Sequence, residues 1–538
     1  MIRKKIEKFI QKSIKELQKE KTFPIFKIPE IEIEHPAKKT YGDYATNTAL
    51  KISKIIKKNP IEIANILSTK LRISGSKIFE KVEIAKPGFI NFFLSKEYLK
   101  KQIREILKQK EKFSQLKIGK NIKTNVEFIS ANPTGLLHIG NGRGAFWGDV
   151  LANILEKAGF KVSREYYIND AKTNTQIKLL GETALGKGTT YLNEYLKSKI
   201  EFLKPKLKEM KNEAKAGYLL GKEIQKDIKE FVEKKLKIKF DNWFSESSLH
   251  KKDEIQKTFV WLKSKNLAYQ KEGAWWVKTS KFGDLQDWVV IRETGEPTYF
   301  LCDIAYHKDK IRRGFKKIIN IWGADHQGHV RKMTAAIKML GFKGQLHLLI
   351  SQIVRVKGLK VSKRKGEIIP LKDLINEVGL DVVRFFYLTK SLDSQMEFNL
   401  KLAKEQSEKN PVYYIQYAHT RICGILRKAT GNRQQATRPK SLFSSCLSLL
   451  DHPSEIELIK QLIIFPEIVE DTAKDFQLQR IPQYALDLAT FFHRFYRDCK
   501  VLTEEKKLRE ARLGLILATK QVIKNTLDLM GISAPEKM

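Results

Sequence analysis

A histidine opening a glycine-rich run, and a string of cations on a second glycine-flanked loop, could together handle phosphate. The first run is His138-Ile-Gly-Asn-Gly-Arg143, with Gly140 and Asn141 just behind the histidine. The second holds Lys360, Ser362, Lys363 and Arg364 ahead of Gly366. Backbone N–H groups at a helix start attract phosphate oxygens. Cations placed on a polyphosphate stabilise the charge that develops as a phosphate group leaves. Neither run is a Walker loop or the Gly-x-Gly-x-x-Gly dinucleotide fingerprint. No Ser-His-Asp arrangement with a nucleophile elbow is present. Asp325, His326 and His329 suggest a metal, but the spacing is loose and no glutamate base is near, so zinc is not expected.

Residues 126–129 read as a short apolar strand, and Asn132-Pro-Thr-Gly135 as a tight turn. After Gly140 a helical pattern begins, with Phe146, Val150, Ile154 and Ala158 at four-residue spacing, and Gly159 ends it. A strand over 161–168 completes a βαβ unit. Residues 318–322 read as a buried strand ending in a polar cluster, with a helix over 329–340 and a strand over 345–356. Strands are also expected at 275–277 and 288–291. Ligands in such sheets bind beyond the C-terminal strand ends. Polar clusters sit there at Asn132–His138, Asn169–Asp170 and Asp325–His329. The expected fold is therefore a multidomain α/β protein. Its catalytic unit is a Rossmann-like parallel-sheet domain at 116–400, with a largely helical insertion at 171–270. Residues 1–115 form a small N-terminal α/β domain, with an amphipathic helix over 2–17, a strand over 26–33 and a strand–turn–strand over 82–94. Residues 401–538 form a C-terminal all-helical bundle, with helices near 454–475, 482–500 and 505–531.

The 538 residues suffice for several cores. Lys and Arg number 101 against 61 Asp and Glu, a net +40 that favours a polyanionic partner. The cysteines, at 302, 423, 446 and 499, form no C-x-x-C pair, so neither a zinc knuckle nor a disulfide framework is suggested. No stretch reaches about 18 apolar residues, and no signal-peptide core is present. A soluble cytoplasmic protein is the expectation.

His138-Ile-Gly-Asn141 resembles the first signature of the class I aminoacyl-tRNA synthetases, usually His-Ile-Gly-His. Its flanks, Ser130-Ala-Asn-Pro-Thr-Gly135 and Asn141-Gly-Arg143, are similar to the arginyl-tRNA synthetases in particular. Asn141 departs from the usual histidine: it donates a hydrogen bond but carries no charge. Val361-Ser-Lys-Arg-Lys-Gly366 resembles a degenerate Lys-Met-Ser-Lys-Ser signature. Tyr299-x-x-x-Asp303-Ile-Ala-Tyr306-His307 and Trp322-Gly-Ala-Asp-His-Gln-Gly-His329 are similar to two further stretches of that family, as are Pro87–Asn91 in the N-terminal domain and Leu529–Met538 at the chain end.

The resemblance implies attachment of L-arginine to tRNA(Arg) through an arginyl-adenylate, with ATP carrying Mg2+, no zinc, and a monomeric enzyme. It implies catalytic roles for His138, Asn141 and Lys363. Glu127, Ser130, Asn132, Tyr299, Asp303 and Asp325 would hold arginine, with Asp303 on the guanidinium, because carboxylates match that fork. His138, Gly140, Asn141, His326, Gln327, Lys360, Ser362, Lys363 and Arg364 would hold ATP. Tyr413, Tyr417, Arg421, Arg494 and Met538 would meet tRNA, by stacking and pairing with unstacked bases.

Overall fold

A computed structural model describes residues 1–357, 369–430, 446–503 and 505–538. The N-terminal part begins with helix Ile2–Lys19, whose Ile6, Ile10, Ile14 and Leu17 are buried at helical spacing. The helix packs on helix Pro60–Ser74, which lies over a three-stranded sheet of β1 (Tyr44–Thr46), β2 (Phe79–Ala85) and β3 (Phe89–Leu94), in the order β1-β3-β2. No strand forms over 26–33; that stretch has no regular structure, and Glu34 beyond it bridges to Ala45. Pro29 has no N–H to give to a ladder.

The central sheet joins β4 (Lys123–Glu127), β5 (Lys161–Ile168) and β6 (Asn242–Ser245) to β10 (Lys317–Gly323) and β11 (Gln345–Ser351), once β7 (Ala268–Lys271), β8 (Ala274–Val277) and β9 (Trp288–Ile291) are set aside as a separate antiparallel sheet. Its order is β11-β10-β4-β5-β6, and every neighbouring pair is parallel. The stretch read as an insertion thus supplies the outer strand of the sheet itself. Four residues are too few to announce a strand among helices. What fixes β6 is aromatic packing on its neighbour: Trp243 stacks on Tyr166 at 4.6 Å and Phe244 on Tyr167 at 6.1 Å. The strand expected over 345–356 is broken after Ser351. Its second part, β12 (Val354–Lys357), pairs with β13 (Met396–Asn399) in a small parallel ribbon. At the break the Gln352 N–H donates to the Leu392 carbonyl, which turns the chain away from β10.

Helix Ile139–Lys157 follows β4 and is buried almost all round. The sheet lies on one side; helices Leu380–Leu388, Phe465–Asp475 and Lys506–Met530 lie on others. Gly148 permits this: a Cβ there would sit 2.1 Å from the Phe128 ring. The C-terminal part is a bundle of Pro411–Thr430, Pro453–Ile463, Phe465–Asp475, Arg480–Asp498 and Lys506–Met530. The N-terminal domain docks on it through buried Glu467, which accepts from the Arg3 N–H (3.0 Å) and the Tyr44 hydroxyl (3.2 Å) and pairs with His35 (2.9 Å). Among the described residues no helix is long and apolar enough to cross a membrane.

Candidate active site

The chain leaves β4 through a strained turn. Ile129 and Ser130 both take left-handed backbone angles, φ 68° and 42°, a region costly for a β-branched side chain. The turn lets Ser130 hold three partners. Its hydroxyl faces Glu127 Oε1 (3.3 Å) and accepts from the Tyr167 N–H (3.1 Å), and its carbonyl accepts from Asn169 Nδ2 (3.3 Å). Asn132 follows, exposed at the rim.

His138 is the N-cap of the helix. Its Nδ1 accepts from the Gly140 N–H (3.1 Å), and Asn141 Oδ1 accepts from the His138 N–H (2.9 Å), a reciprocal capping box. A side chain at Gly140 would sit 2.9 Å from the imidazole, so glycine is what lets the ring fold back. Burial pushes the His138 pKa down. The neutral ring, accepting at Nδ1, carries its proton on Nε2, which leaves one donor for a ligand. Asn141 explains itself in the same geometry: its oxygen is spent on the cap and its amide N–H groups remain.

Lys360, Ser362, Lys363 and Arg364 lie outside the described residues. The chain on their far side is fixed directly to the first signature. The Ile139 N–H donates to Ile369 O (3.0 Å), and the Leu371 N–H donates to Leu137 O (2.9 Å).

A second centre lies between the ends of β4, β5 and β6 and the helix Tyr299–Arg312. Glu127 ends β4, buried, with Oε2 2.5 Å from the fully buried Lys310 Nζ. Lys310 also donates to Asn320 Oδ1 (2.9 Å). Asn320 Nδ2 then donates to His307 Nε2 (2.8 Å), and His307 Nδ1 donates to the Asp303 carbonyl (2.8 Å). Burial and the nearby Lys310 charge push His307 down to about 3, so it stays neutral. One chain of hydrogen bonds therefore links Glu127 to the backbone of Asp303.

The Asp303 carboxyl is pushed up to about 7, first by burial, then by the charges of Glu246 and Glu127, with Lys332 and Lys310 pulling the other way. Glu246 was not among the expected residues. It directly follows β6, is 3% exposed, and is pushed up to about 7 by burial, against nearby Ala171 and Asn174 amides. The strand-end rule would have found it, had 242–245 been read as a strand. Beneath this centre burial opposes the Glu165 charge, but Arg313 (2.5 and 2.9 Å), Lys310 and the Tyr306 hydroxyl (2.7 Å) together hold its pKa at about 2. Glu165 is thus a satisfied ion pair, whereas the Asp303 carboxyl feels the Glu246 charge more strongly than that of Lys332 or Lys310.

Tyr299 stands at the mouth, 47% exposed. Its hydroxyl donates to Thr175 Oγ1 and accepts from the Thr175 N–H, both at 2.8 Å, so it caps helix Thr175–Ala184. Asp325, expected to hold arginine, lies at the surface. Its side chain is 81% exposed and pairs with His326 at 3.5 Å, because the turn Ala324–His326 carries it out into water. His326 and Gln327 are exposed on that turn, beyond the end of β10.

In the C-terminal bundle Tyr413 and Tyr417 lie parallel with ring centres 6.3 Å apart, and Arg421 stacks its guanidinium on Tyr417 (5.5 Å) and Tyr496 (5.0 Å). Tyr417, Arg421 and Tyr496 line an open cavity of about 580 Å³ with Lys428, Arg497 and Lys500. Arg494 is not in its wall; it lies over Phe491 at 5.5 Å. Met538 is exposed at the end of a tail strapped to helix Pro411–Thr430, where His419 and Thr420 bond the Pro535 carbonyl.

Residues 4–94 match the family described as arginyl tRNA synthetase N terminal domain. Residues 102–243 and 222–384 match tRNA synthetases class I (R), catalytic domain, and residues 415–538 match the DALR anticodon binding domain. An arginine–tRNA ligase of Caldanaerobacter subterraneus is 40% identical over 558 aligned residues, covering 100% of this chain and 99% of its own. One from Carboxydothermus hydrogenoformans is 42% identical, covering 94% of each. The fold is that of Thermus thermophilus arginyl-tRNA synthetase, with a TM-score of 0.78, 23% identity and full cover of both chains.

Proposed function

The chain belongs to the arginyl-tRNA synthetase family, and from that premise we propose how its residues divide the work. The enzyme attaches L-arginine to tRNA(Arg) in two ATP-dependent steps. The arginine carboxylate attacks the α-phosphorus of ATP, pyrophosphate leaves, and arginyl-adenylate forms. A ribose hydroxyl of the terminal adenosine then attacks the activated carbonyl, and AMP leaves.

Asp303 and Glu246 clamp the guanidinium, with Tyr299 at the mouth. Glu127, Ser130 and Asn132 hold the amino-acid end. His138 Nε2–H and the Asn141 amide donate to phosphate at the helix start, Gly140 allows the close approach, and His326 and Gln327 flank the adenosine. Lys363, assisted by Lys360, Ser362 and Arg364, neutralises the leaving pyrophosphate. Mg2+ arrives with ATP, held by phosphate oxygens rather than a protein cage. Positioning and charge stabilisation supply the catalysis, and no protein nucleophile is needed. Domain 1–115 meets the tRNA body, domain 116–400 runs the chemistry, and 401–538 takes the anticodon through Tyr413, Tyr417, Arg421, Arg494 and Met538. The enzyme works as a monomer in the cytoplasm.

The observation that carries the pocket assignment is the pair of carboxyls on half-buried Asp303 and buried Glu246, both raised to about 7. A guanidinium satisfies two carboxylates at once; a lysine ammonium does not fill the same fork. Amino-acid-dependent ATP–pyrophosphate exchange, run over all twenty amino acids with and without tRNA, tests it. Exchange confined to arginine is the expected result, and exchange with another amino acid would overturn the Asp303 and Glu246 assignments.

A further inference from the structure

We propose that Glu246, His250 and Cys302 form a binding site for a zinc-like divalent cation, sharing Glu246 with the arginine pocket. The three come from two stretches: Glu246 and His250 stand four residues apart, at the N-cap and within the short helix Ser247–Lys251, and Cys302 comes from the helix Tyr299–Arg312. One ligand atom from each lies within 4.8 Å of the others. Glu246 and Cys302 are buried, at 3% and 5% exposure. Glu246 Oε2 and His250 Nε2 are both buried without a hydrogen-bond partner, which is where a bound ion would serve them.

A carboxylate, an imidazole and a thiol are the borderline-soft donor set that zinc takes, with a fourth position left for water. Zinc bonds of roughly 2.0–2.3 Å place tetrahedral ligands roughly 3.3–3.8 Å apart. Closing three side chains from 4.8 Å onto an ion therefore takes rotamer adjustments of about 1 Å. Binding replaces the thiol proton of Cys302 with the metal and releases that proton to solvent. The expectation of no zinc came from the loose spacing of Asp325, His326 and His329 and from the absence of grouped thiols, and here one thiol serves because the fold brings Glu246 and His250 to it.

The sharing of Glu246 has a functional consequence. A cation on Glu246 and a guanidinium on the same carboxylate exclude each other, so the metal acts as an inhibitor competitive with arginine. That competition, unlike the site itself, rests on the assignment of Glu246 to the guanidinium.

Titration of the full-length protein with Co2+ alone reads both. The expected result is a sulfur-to-cobalt charge-transfer band saturating at one equivalent and displaced by Zn2+. It disappears in Cys302→Ser, and cobalt affinity falls at least 10-fold in His250→Gln, a variant that keeps the thiol and covers the case in which the serine variant misfolds. No band in the intact protein, or an unchanged band in both variants, overturns the site. Saturating arginine is expected to weaken cobalt binding several-fold. Cobalt binding that ignores arginine overturns the sharing of Glu246 and the guanidinium role with it, while the three-ligand site stands.

Discussion

The carboxyls of Asp303 and Glu246 are pushed up to about 7, so the proposed guanidinium clamp predicts that arginine binding releases protons. A carboxyl whose folded pKa is raised makes the folded state the tighter proton binder. Its contribution favours folding below the unfolded value of about 4 and is lost as pH rises through about 7. A bound guanidinium reverses the preference by favouring both carboxylates. Affinity for arginine is therefore predicted to fall as pH drops below about 7, with one to two protons released on binding near pH 6. Calorimetry in buffers of different ionisation enthalpy measures that number, and a value of zero would remove both acids from the pocket. Lys310 calls for a different experiment. It is fully buried and carries the charge facing Glu127. Lys310→Met leaves the buried Glu127 carboxylate without its counter-ion, a loss of roughly 3–5 kcal/mol by the usual cost of breaking such a pair. Adding Glu127→Gln should recover part of that stability in urea unfolding; no recovery would mean that the lysine acts by packing alone. The sequence displayed Glu127, His138 and Asp303 because they sit in runs with recognisable neighbours. It hid Lys310, which is one lysine among many in the sequence and is distinguished only by the fold that buries it.

Helices Thr175–Ala184 and Glu213–Glu230 cross at backbone contact. A Cβ on Gly217 would sit 1.8 Å from the Ile177 carbonyl oxygen, and one on Gly181 would meet Glu213 O at the same distance. This pair supports the pocket from outside: Gly221 faces Pro133 of the signature turn, and Thr175 bonds Tyr299. Gly217→Ala must push the helices apart, at about 1–3 kcal/mol for overpacking. The expected outcome is a lower Tm together with a raised KM for arginine and little change in the KM for ATP. Equal changes in both would mean a general loss of folding rather than a displaced Tyr299. At this scale the readable elements were those whose pattern is local. The range 161–168 reads as a strand from its own residues, and the helix after Gly140 follows from four-residue spacing. β6 was missed because four residues carry almost no periodicity, and its strand character comes from Tyr166 and Tyr167 on the neighbouring strand. The 26–33 stretch misled for the opposite reason: it partly alternates, but Pro29 cannot donate to a ladder and only Glu34, just beyond it, bridges to β1.

The whole molecule carries +40, and its parts are clamped together by a few acids such as Glu467, which burial pushes up but His35 and Arg3 hold below its ordinary value. A surplus of that size favours a polyanionic partner, and the proposed tRNA contacts Tyr417 and Arg421 line a basic cavity of the C-terminal bundle. Affinity for tRNA(Arg) should therefore fall linearly in log units with log salt, by about 0.7–0.9 per phosphate neutralised. Arg421 allows that slope to be separated from base recognition. Its guanidinium lies over both Tyr417 and Tyr496 and faces the cavity, so it has two possible uses. As a phosphate contact, Arg421→Ala would weaken binding and flatten the salt slope by about one phosphate's worth. As part of a stacking platform for an unstacked base, it would weaken binding by about 1–3 kcal/mol with the slope unchanged. The stacked geometry favours the second outcome. Filter binding at several salt concentrations, for the enzyme and this one variant, decides between them, because only a lost ion contact changes the number of counterions released.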